Sequence, residues 1–503
     1  MERRSLWEAT SERPAYPALE GDLDVDVAVV GGGIVGITTA WLLKAEGRRV
    51  ALVELRGIGA GTTGRTTAKL TVGQGLVYAR LERKHGPAAA RVFAETNAEA
   101  IGQLGALARE LEIDCDWEPA SNYVYTESSG RLGDLEEEVE AMGRAGIEAA
   151  LTTETELPFP VAGAIRVDRQ AQFHPLKLLA GLAARIEGDG SRVCEGTPAT
   201  GVRSGEPCVV ETPSGRIRAR QVVVATQLPF LDRGGHFARA HPLKSYAVSA
   251  PVDEGAAPRG MYLSVDEPTR SLRSAPGPGG ARHLVVGGES GRPGDEEDTD
   301  VRFLALEAFA REHFGAEAEL RWSAHDYVPV DGLPYIGAIR YGEERVHIAT
   351  GFAKWGLTKG MIAARLLADA IAGRPGRGAP LYDARRLSPR ASAAGFAAEN
   401  ARVARRFVED RARRGRELED IEAIAPGQGA VVRAGARQVA VYRDEQGAEH
   451  VLSARCPHLG CIVGWSEADR GWACPCHGSR FTGEGELLQG PATEGLARES
   501  LSR

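Results

Sequence analysis

The sequence predicts a large mixed α/β region followed by a small all-β module. Three observations carry that prediction. A compact β-branched run, VDVAVV, passes through a glycine cluster into a helical stretch and then a second strand, all within 25–55. A strand, a glycine-containing turn and a long apolar helix recur at 346–371, VHIATGFAKWGLTKGMIAARLLADAI. After APGQG (425–429) the chain turns to short β-rich runs separated by glycines and charged turns, and four of its seven cysteines fall there.

The totals agree with several domains. A chain of 503 residues suggests roughly two to four of them. With 43% apolar and 26% charged residues it reads as globular with ample core. A net charge of −8 leaves no basic footprint, so nucleic acid is not an expected partner. No apolar run reaches the ~18 residues that would span a membrane. The opening MERRSLWEAT carries an arginine pair with no apolar segment behind it, so no export signal is expected and the chain is placed in the cytoplasm. Cys115, Cys194 and Cys208 are scattered and read as small apolar core residues.

The front unit, VDVAVVGGGIVGITTAWLLKAEGRRVALVEL, spaces its glycines as Gly31-x-Gly33-x-x-Gly36 between strand and helix. The first permits a tight turn, the second lets a pyrophosphate approach the backbone, and the third lets helix and strand pack closely. The helix N-terminus then faces the phosphates. Glu54 ends the second strand, where an acid accepts ribose hydroxyls. This is a Rossmann-type dinucleotide motif. The loop that follows, RGIGAGTTGRTTAKLT (56–71), offers backbone N–H groups and hydroxyls for a second pass over a phosphate or a flavin edge, or reads as a surface loop. The other glycine-rich stretch, PGPGG (276–280), precedes a strand and reads as a hairpin turn. A separate NAD(P)H site is therefore not expected.

Two further stretches, VVVATQLPF (222–230) and DYVPVDGLPYIGAI (326–339), join the late strand–turn–helix. Together with the front unit they resemble the glycine/D-amino-acid oxidase-like superfamily of FAD enzymes, over 20–375. The resemblance implies a Rossmann-type FAD-binding domain (about 20–75, 160–230 and 325–375) interleaved with a mixed-sheet substrate domain (about 76–160 and 231–324). It implies that Gly31, Gly33, Gly36 and Glu54 hold the ADP half of FAD. Thr62, Thr63 and Lys69 would reach the flavin side, Gly356, Leu357 and Thr358 the isoalloxazine ring, and Asp331 the ribityl chain. The sequence departs from the pattern in two places. The usual ATG turn reads ATQ, with Gln227 for glycine, and Arg65 stands where flavin-tethering relatives carry histidine, so FAD is expected to be non-covalent.

The same resemblance implies oxidation of a C–N bond in a small-molecule amine or amino acid, mostly by orientation over the flavin. Lys244 and Tyr246 share a face of the strand HPLKSYAVSA (241–250). Lys244 is a candidate for the flavin N5 region or for steering a carboxylate, against a plain half-exposed lysine. Trp355 and Lys354 adjoin the late turn, as do Asp326 and His325, the latter reading also as a satisfied core histidine.

Basic and acidic residues alternate through FAAENARVARRFVEDRARRGRELEDIEAI (396–424), which predicts a solvated connecting helix within a linker over 376–420. Beyond it, CPHLGC (456–461) and CPCHGS (474–479) each bring one thiolate and one imidazole: Cys456 with His458, Cys474 with His477. Zinc competes for such a set, but one of each from each loop suits two irons, thiolates on one and imidazoles on the other. The boxes closely resemble those of Rieske [2Fe–2S] proteins, placing such a module at 421–503. In the respiratory type the matching Cys461 and Cys476 form a disulfide that clamps the two loops. Ser479 matches a serine that donates to a cluster sulfur, while Phe481 replaces a tyrosine donor. An intermediate-to-high potential within the Rieske range follows.

A two-electron flavin and a one-electron cluster on one chain suggest a relay from substrate to FAD, to the cluster, to an external one-electron acceptor. Reverse flow from an external donor, and a non-catalytic redox module, remain open alternatives. A mononuclear-iron oxygenase would need Asp232, His236 and His241 as ligands; the extra cysteines and the order of the modules argue against it.

Overall fold

A computed structural model describes residues 1–293, 299–412, 416–435 and 437–500. The strand Leu23–Val30 ends in an unbroken apolar run and lies mid-sheet, as a strand buried on both faces must. Val50–Val53 and Gly215–Val224 flank it in parallel, and Arg192–Cys194 and Val346–Thr350 extend the parallel set. Tyr335–Ala338 pairs antiparallel at one edge. The helix Ile34–Ala45 packs against the late helix Gly356–Ile371. Gly360 allows the approach, since a Cβ there would sit 2.8 Å from a methyl of Ile34.

The second sheet is mixed and nine-stranded, running from Leu320–Pro329 through Ala240–Pro251, Arg282–Gly291, Arg270–Pro276, Met261–Ser264, Glu118–Thr126 and Gly163–Gln172 to Lys69–Leu70, with Ala150–Thr152 pairing off this path against Gly163–Gln172. Two boundaries differ from expectation. Gly163–Gln172, expected in the nucleotide part, pairs antiparallel with Glu118–Thr126 in this sheet. Leu320–Pro329 likewise pairs with Ala240–Pro251, so the substrate sheet runs past 325. PGPGG does connect two antiparallel strands, Arg270–Pro276 and Arg282–Gly291.

The C-terminal module holds two four-stranded sheets, one containing Gln428–Ala434, Arg437–Arg443 and Glu449–Ser453, the other Gly464–Ser466, Gly471–Ala473, Arg480–Thr482 and Leu487–Gln489. The connecting helix Pro389–Ala412 is more than a solvated strut. Asn400 donates to the Ala238 carbonyl (3.0 Å) and Arg411 to that of Gly460 in the first cysteine box (2.6 Å). Among the described residues no helix is long and apolar enough to cross a membrane.

Candidate active site and metal centre

The glycine turn, the Thr-rich loop and the late turn converge on one cavity of about 200 Å³. Gly31 has φ +110°, and a Cβ there would lie 2.5 Å from the Ala225 carbonyl oxygen. A Cβ on Gly36 would lie 1.8 Å from the Gly31 backbone oxygen, so the helix meets the turn only because Gly36 lacks one. The helix begins at Gly33 with no side-chain cap from that residue, so the first-turn N–H groups other than that of Ile34 remain available to phosphate. Thr63 Oγ1 accepts from the Ile34 N–H at 3.1 Å. Glu54 accepts from Gly32 N (2.7 Å) and Arg56 N (3.0 Å) at the end of its strand, and burial raises its carboxyl. Arg56 lines the cavity with a buried Nε that has no hydrogen-bond partner among the described residues. This cradle fits the ADP half of FAD.

A second cavity, of about 470 Å³, adjoins the first and shares Thr62, Thr66, Asp326, Lys354, Gly356 and Leu357 with it. Tyr246 and Trp355 line it, together with Arg65, Lys69 and Arg80. Lys69 thus stands in this second space, its buried ammonium donating to the Tyr262 carbonyl. Asp326 sits at the junction, accepting from the N–H of Tyr327 (2.7 Å) and of Lys354. Burial pushes its carboxyl up to about 6. The N–H it accepts from belongs to a turn held under strain, with Ala353 at φ +50° and Lys354 at +72°.

The cysteine boxes bring together a candidate metal centre. The His458 and His477 rings stand 5.0 Å apart at 88°, and both Nδ1 atoms are buried without a hydrogen-bond partner among the described residues. Two buried, unpartnered ring nitrogens beside two thiols are a donor set that asks for metal. A hydrogen bond from the Cys474 thiol brings the Cys456 thiol down to about 7 against its burial, with help from the His458 and Leu459 N–H groups. Cys461 and Cys476 are joined by a disulfide, so they offer no thiolate although their sulfurs lie within 4.8 Å of Cys474. Ser479 Oγ accepts from Ala492 N (3.1 Å) and Phe481 is fully buried.

The two sites share a boundary. Residues 487–490, 492 and 493 of the cluster module line the nucleotide cavity. Phe237, from the flavin region, stands edge-on to both ligand imidazoles at 5.9 and 5.5 Å. Asp232 Oδ1 lies 2.9 Å from His458 Nε2; were Nδ1 to hold iron, Nε2 would carry the proton and donate.

Several expected residues lie elsewhere. Lys244 reaches neither large cavity: its ammonium is buried at the module boundary, 2.7 Å from Asp469 and 3.0 Å from Ser466. Arg480 (3.1 Å) and Ser323 (2.5 Å) hold the other Asp469 oxygen. Burial works to raise the Asp469 carboxyl, but Arg480 and Lys244 hold it well below the usual carboxylate range. A lysine neutralised by a buried partner is not available to steer substrate. Asp331 does not line the cavity either, because Arg386 clamps both its oxygens at 2.9 Å. Gly356 and Leu357 line the cavity, whereas Thr358 is buried one step behind them. Asp232, His236 and His241 are not brought together; His236 faces the Ala384 carbonyl (3.2 Å) and His241 faces Glu399 (3.7 Å). Asp469, Tyr327 and Gln489 carried no sequence signal, since their partners are distant in the chain.

A nucleotide cavity, an adjoining second cavity and a two-cysteine, two-histidine centre define a flavin and iron–sulfur oxidoreductase. Residues 26–370 match the family described as FAD dependent oxidoreductase (DAO), and residues 417–499 match the Rieske [2Fe-2S] domain. The chain belongs to the FAD dependent oxidoreductase family and carries a C-terminal Rieske domain, so FAD and a [2Fe–2S] cluster are its cofactors. It is 34% identical to the putative Rieske 2Fe-2S iron-sulfur protein YhfW of Bacillus subtilis, across 99% of this chain and 97% of the relative. It is 24% identical to gamma-glutamylputrescine oxidoreductase of Escherichia coli, across 73% of this chain and 89% of that protein. In structure it is similar to glycine oxidase from Geobacillus kaustophilus, with a TM-score of 0.62 and 21% identity over 73% of this chain and 99% of that one. At that identity the likeness speaks to the fold.

Proposed function

We propose that the chain oxidises a C–N bond of an amine or amino acid at the junction of its two cavities. The electrons then leave through the Rieske cluster to an external one-electron acceptor. One observation carries this reading: residues 487–490, 492 and 493 of the cluster module line the cavity that shares part of its wall with the second, larger cavity. The names of gamma-glutamylputrescine oxidoreductase and glycine oxidase support an amine or amino-acid substrate.

Bound FAD supplies hydride uptake from carbon next to nitrogen, and the cluster supplies one-electron transfer. The chain does the rest. The open helix start and Arg56 hold the diphosphate, and Glu54 keeps acceptor capacity for ribose hydroxyls. Arg65, Arg80 and Lys354 give the second cavity a cationic lining that fits a carboxylate, and Glu267 offers an acid for a substrate ammonium. Asp326, poised near 6 at the junction, takes up or releases a proton near neutrality. Trp355 and Tyr246 add aromatic surface to the lining of the second cavity.

A joint potentiometric titration of flavin absorbance and the cluster's EPR signal tests the direction. A cluster potential above that of the flavin is the expected result. One well below it would turn the protein into a reductase fed from outside. Anaerobic mixing with a panel of amines and amino acids should bleach the flavin first; a panel that leaves it oxidised would remove the substrate reading.

A further inference from the structure

We propose that Gln227 and Gln489 form the electron bridge between the flavin cavity and the cluster, with Tyr327 joining it to the loop that holds His477. The inference rests on the flavin-to-cluster flow proposed above and names the residues that carry it.

Gln227 has φ +69°, in the left-handed region that disfavours a side chain and favours glycine. The backbone therefore keeps the glycine geometry while carrying a long amide. That amide is fully used. Its Nε2 donates to Thr62 Oγ1 at 2.6 Å and to the His325 carbonyl, and its Oε1 accepts from Gln489 Nε2 at 2.7 Å. Thr62, Gln227 and Gln489 all line the nucleotide cavity.

Gln489 ends the strand Leu487–Gln489, which pairs with Arg480–Thr482, the strand leaving the second cysteine box. Its amide also lies within reach of the buried Tyr327 phenol. The Tyr327 hydroxyl donates to the His477 carbonyl at 2.8 Å. Two hydrogen-bonded sets thus stand side by side between the second cysteine box and the cavity: Tyr327 with His477, and Gln489 with Gln227 and Thr62. Electron tunnelling decays less steeply through covalent and hydrogen-bonded atoms than across a van der Waals gap. Glycine at 227 would leave such a gap. A second contact, from Cys456 through Ser479 to Ala492, is the competing route.

The balance is simple. Substrate oxidation leaves two electrons and two protons on FADH₂. The cluster takes one electron at a time, one ferric iron becoming ferrous, and an external one-electron acceptor clears the first before the second follows. Both protons go to water, and FAD is restored.

The test uses the holoenzyme. A laser flash on a deazaflavin donor places one electron on FAD, and the decay of reduced flavin is followed as the cluster absorbance bleaches. Only chains carrying both cofactors are counted. Gln227→Gly and Gln489→Leu should each slow this first-order transfer by about tenfold or more, and the double variant should be no slower than the worse single, as expected of one path. Tyr327→Phe, which removes only the hydroxyl, should slow it less. Both midpoint potentials should stay at their wild-type values in all variants, which a merely structural disturbance would not guarantee. Unchanged rates would overturn the bridge in favour of the Ser479 route, and so would a slowing matched by a shift in either potential. A wild-type protein that shows no flavin-to-cluster transfer would overturn the direction of flow and the bridge together.

Discussion

The two cofactor sites of this chain are built in opposite ways. The cluster site needs two short boxes, 456–461 and 474–479, in one module, tied by the Cys461–Cys476 disulfide. The nucleotide cavity gathers residues from Val30 to Thr493, including a wall supplied by the cluster module itself. One site is set by spacing, the other by topology. The asymmetry implies that the cluster survives damage to the cavity, whereas the cavity depends on the module that closes it.

The sharpest break of the comparison is Cys456→Ser. It removes a thiolate that the cluster requires, so iron content should fall to background, while FAD content, read by absorbance after denaturation, should persist because the loops remain clamped. Loss of FAD along with iron would show that the cavity needs the cluster and not only the fold around it.

Asp469→Ala attacks the boundary between the sites. It strips the shared carboxylate from Lys244 and Arg480, leaving two buried cations, and should cost about 3–5 kcal/mol in denaturant unfolding. Two separate unfolding transitions would then appear, with FAD released in the first. Gly36→Ala is the mirror experiment. A methyl placed 1.8 Å from the Gly31 oxygen must push the helix from the turn, at about 3 kcal/mol or more. FAD content should fall while the cluster's EPR signal stays.

The junction carboxyl gives a smaller, pH-dependent effect. Asp326 is held at about 6 when folded against an ordinary value of 3.8, so the folded state binds its proton more tightly. Its contribution to stability is fully present below about pH 4 and is lost as the pH rises through about 6, a swing on the order of 2–3 kcal/mol. Lys354 and Lys359 face it, and Lys359, pushed down to about 7 by burial, acts above neutrality; the comparison belongs between pH 4 and 7. Asp326→Asn should flatten the stability profile across that window. An unchanged profile would mean the carboxyl is not desolvated in the protein as it stands.

How much of this was legible in the sequence follows from the same asymmetry. Gly31, Gly33, Gly36 and the two cysteine boxes could be read because their geometry is local: a turn between strand and helix, or two loops of fixed spacing. Lys244 could not be placed, because its partner Asp469 lies in another module and only the packing of the two brings the charges together. Asp331 met the same difficulty through Arg386. Gln227 was visible as a departure, yet its use depends on Gln489, far along the chain. The strand Gly163–Gln172 was misplaced because strand character does not say which sheet receives the strand.

Asp232→Asn is the mildest test of the boundary and the most specific. The carboxylate lies 2.9 Å from His458 Nε2, on a side chain that is 45% exposed while the imidazole is 4% exposed. Negative charge beside a cluster ligand favours the oxidised, more positive cluster, so removing it should raise the potential. Asparagine still offers an oxygen to the imidazole N–H, so the substitution isolates the charge. For a half-exposed group the effect is about 1 kcal/mol, or roughly 40 mV for one electron. It should shrink in high salt, since the carboxylate faces solvent. A shift in this direction, with the flavin potential unmoved, would show that the flavin region tunes the cluster through this contact. No shift would mean that the two modules touch at His458 without influencing its redox balance.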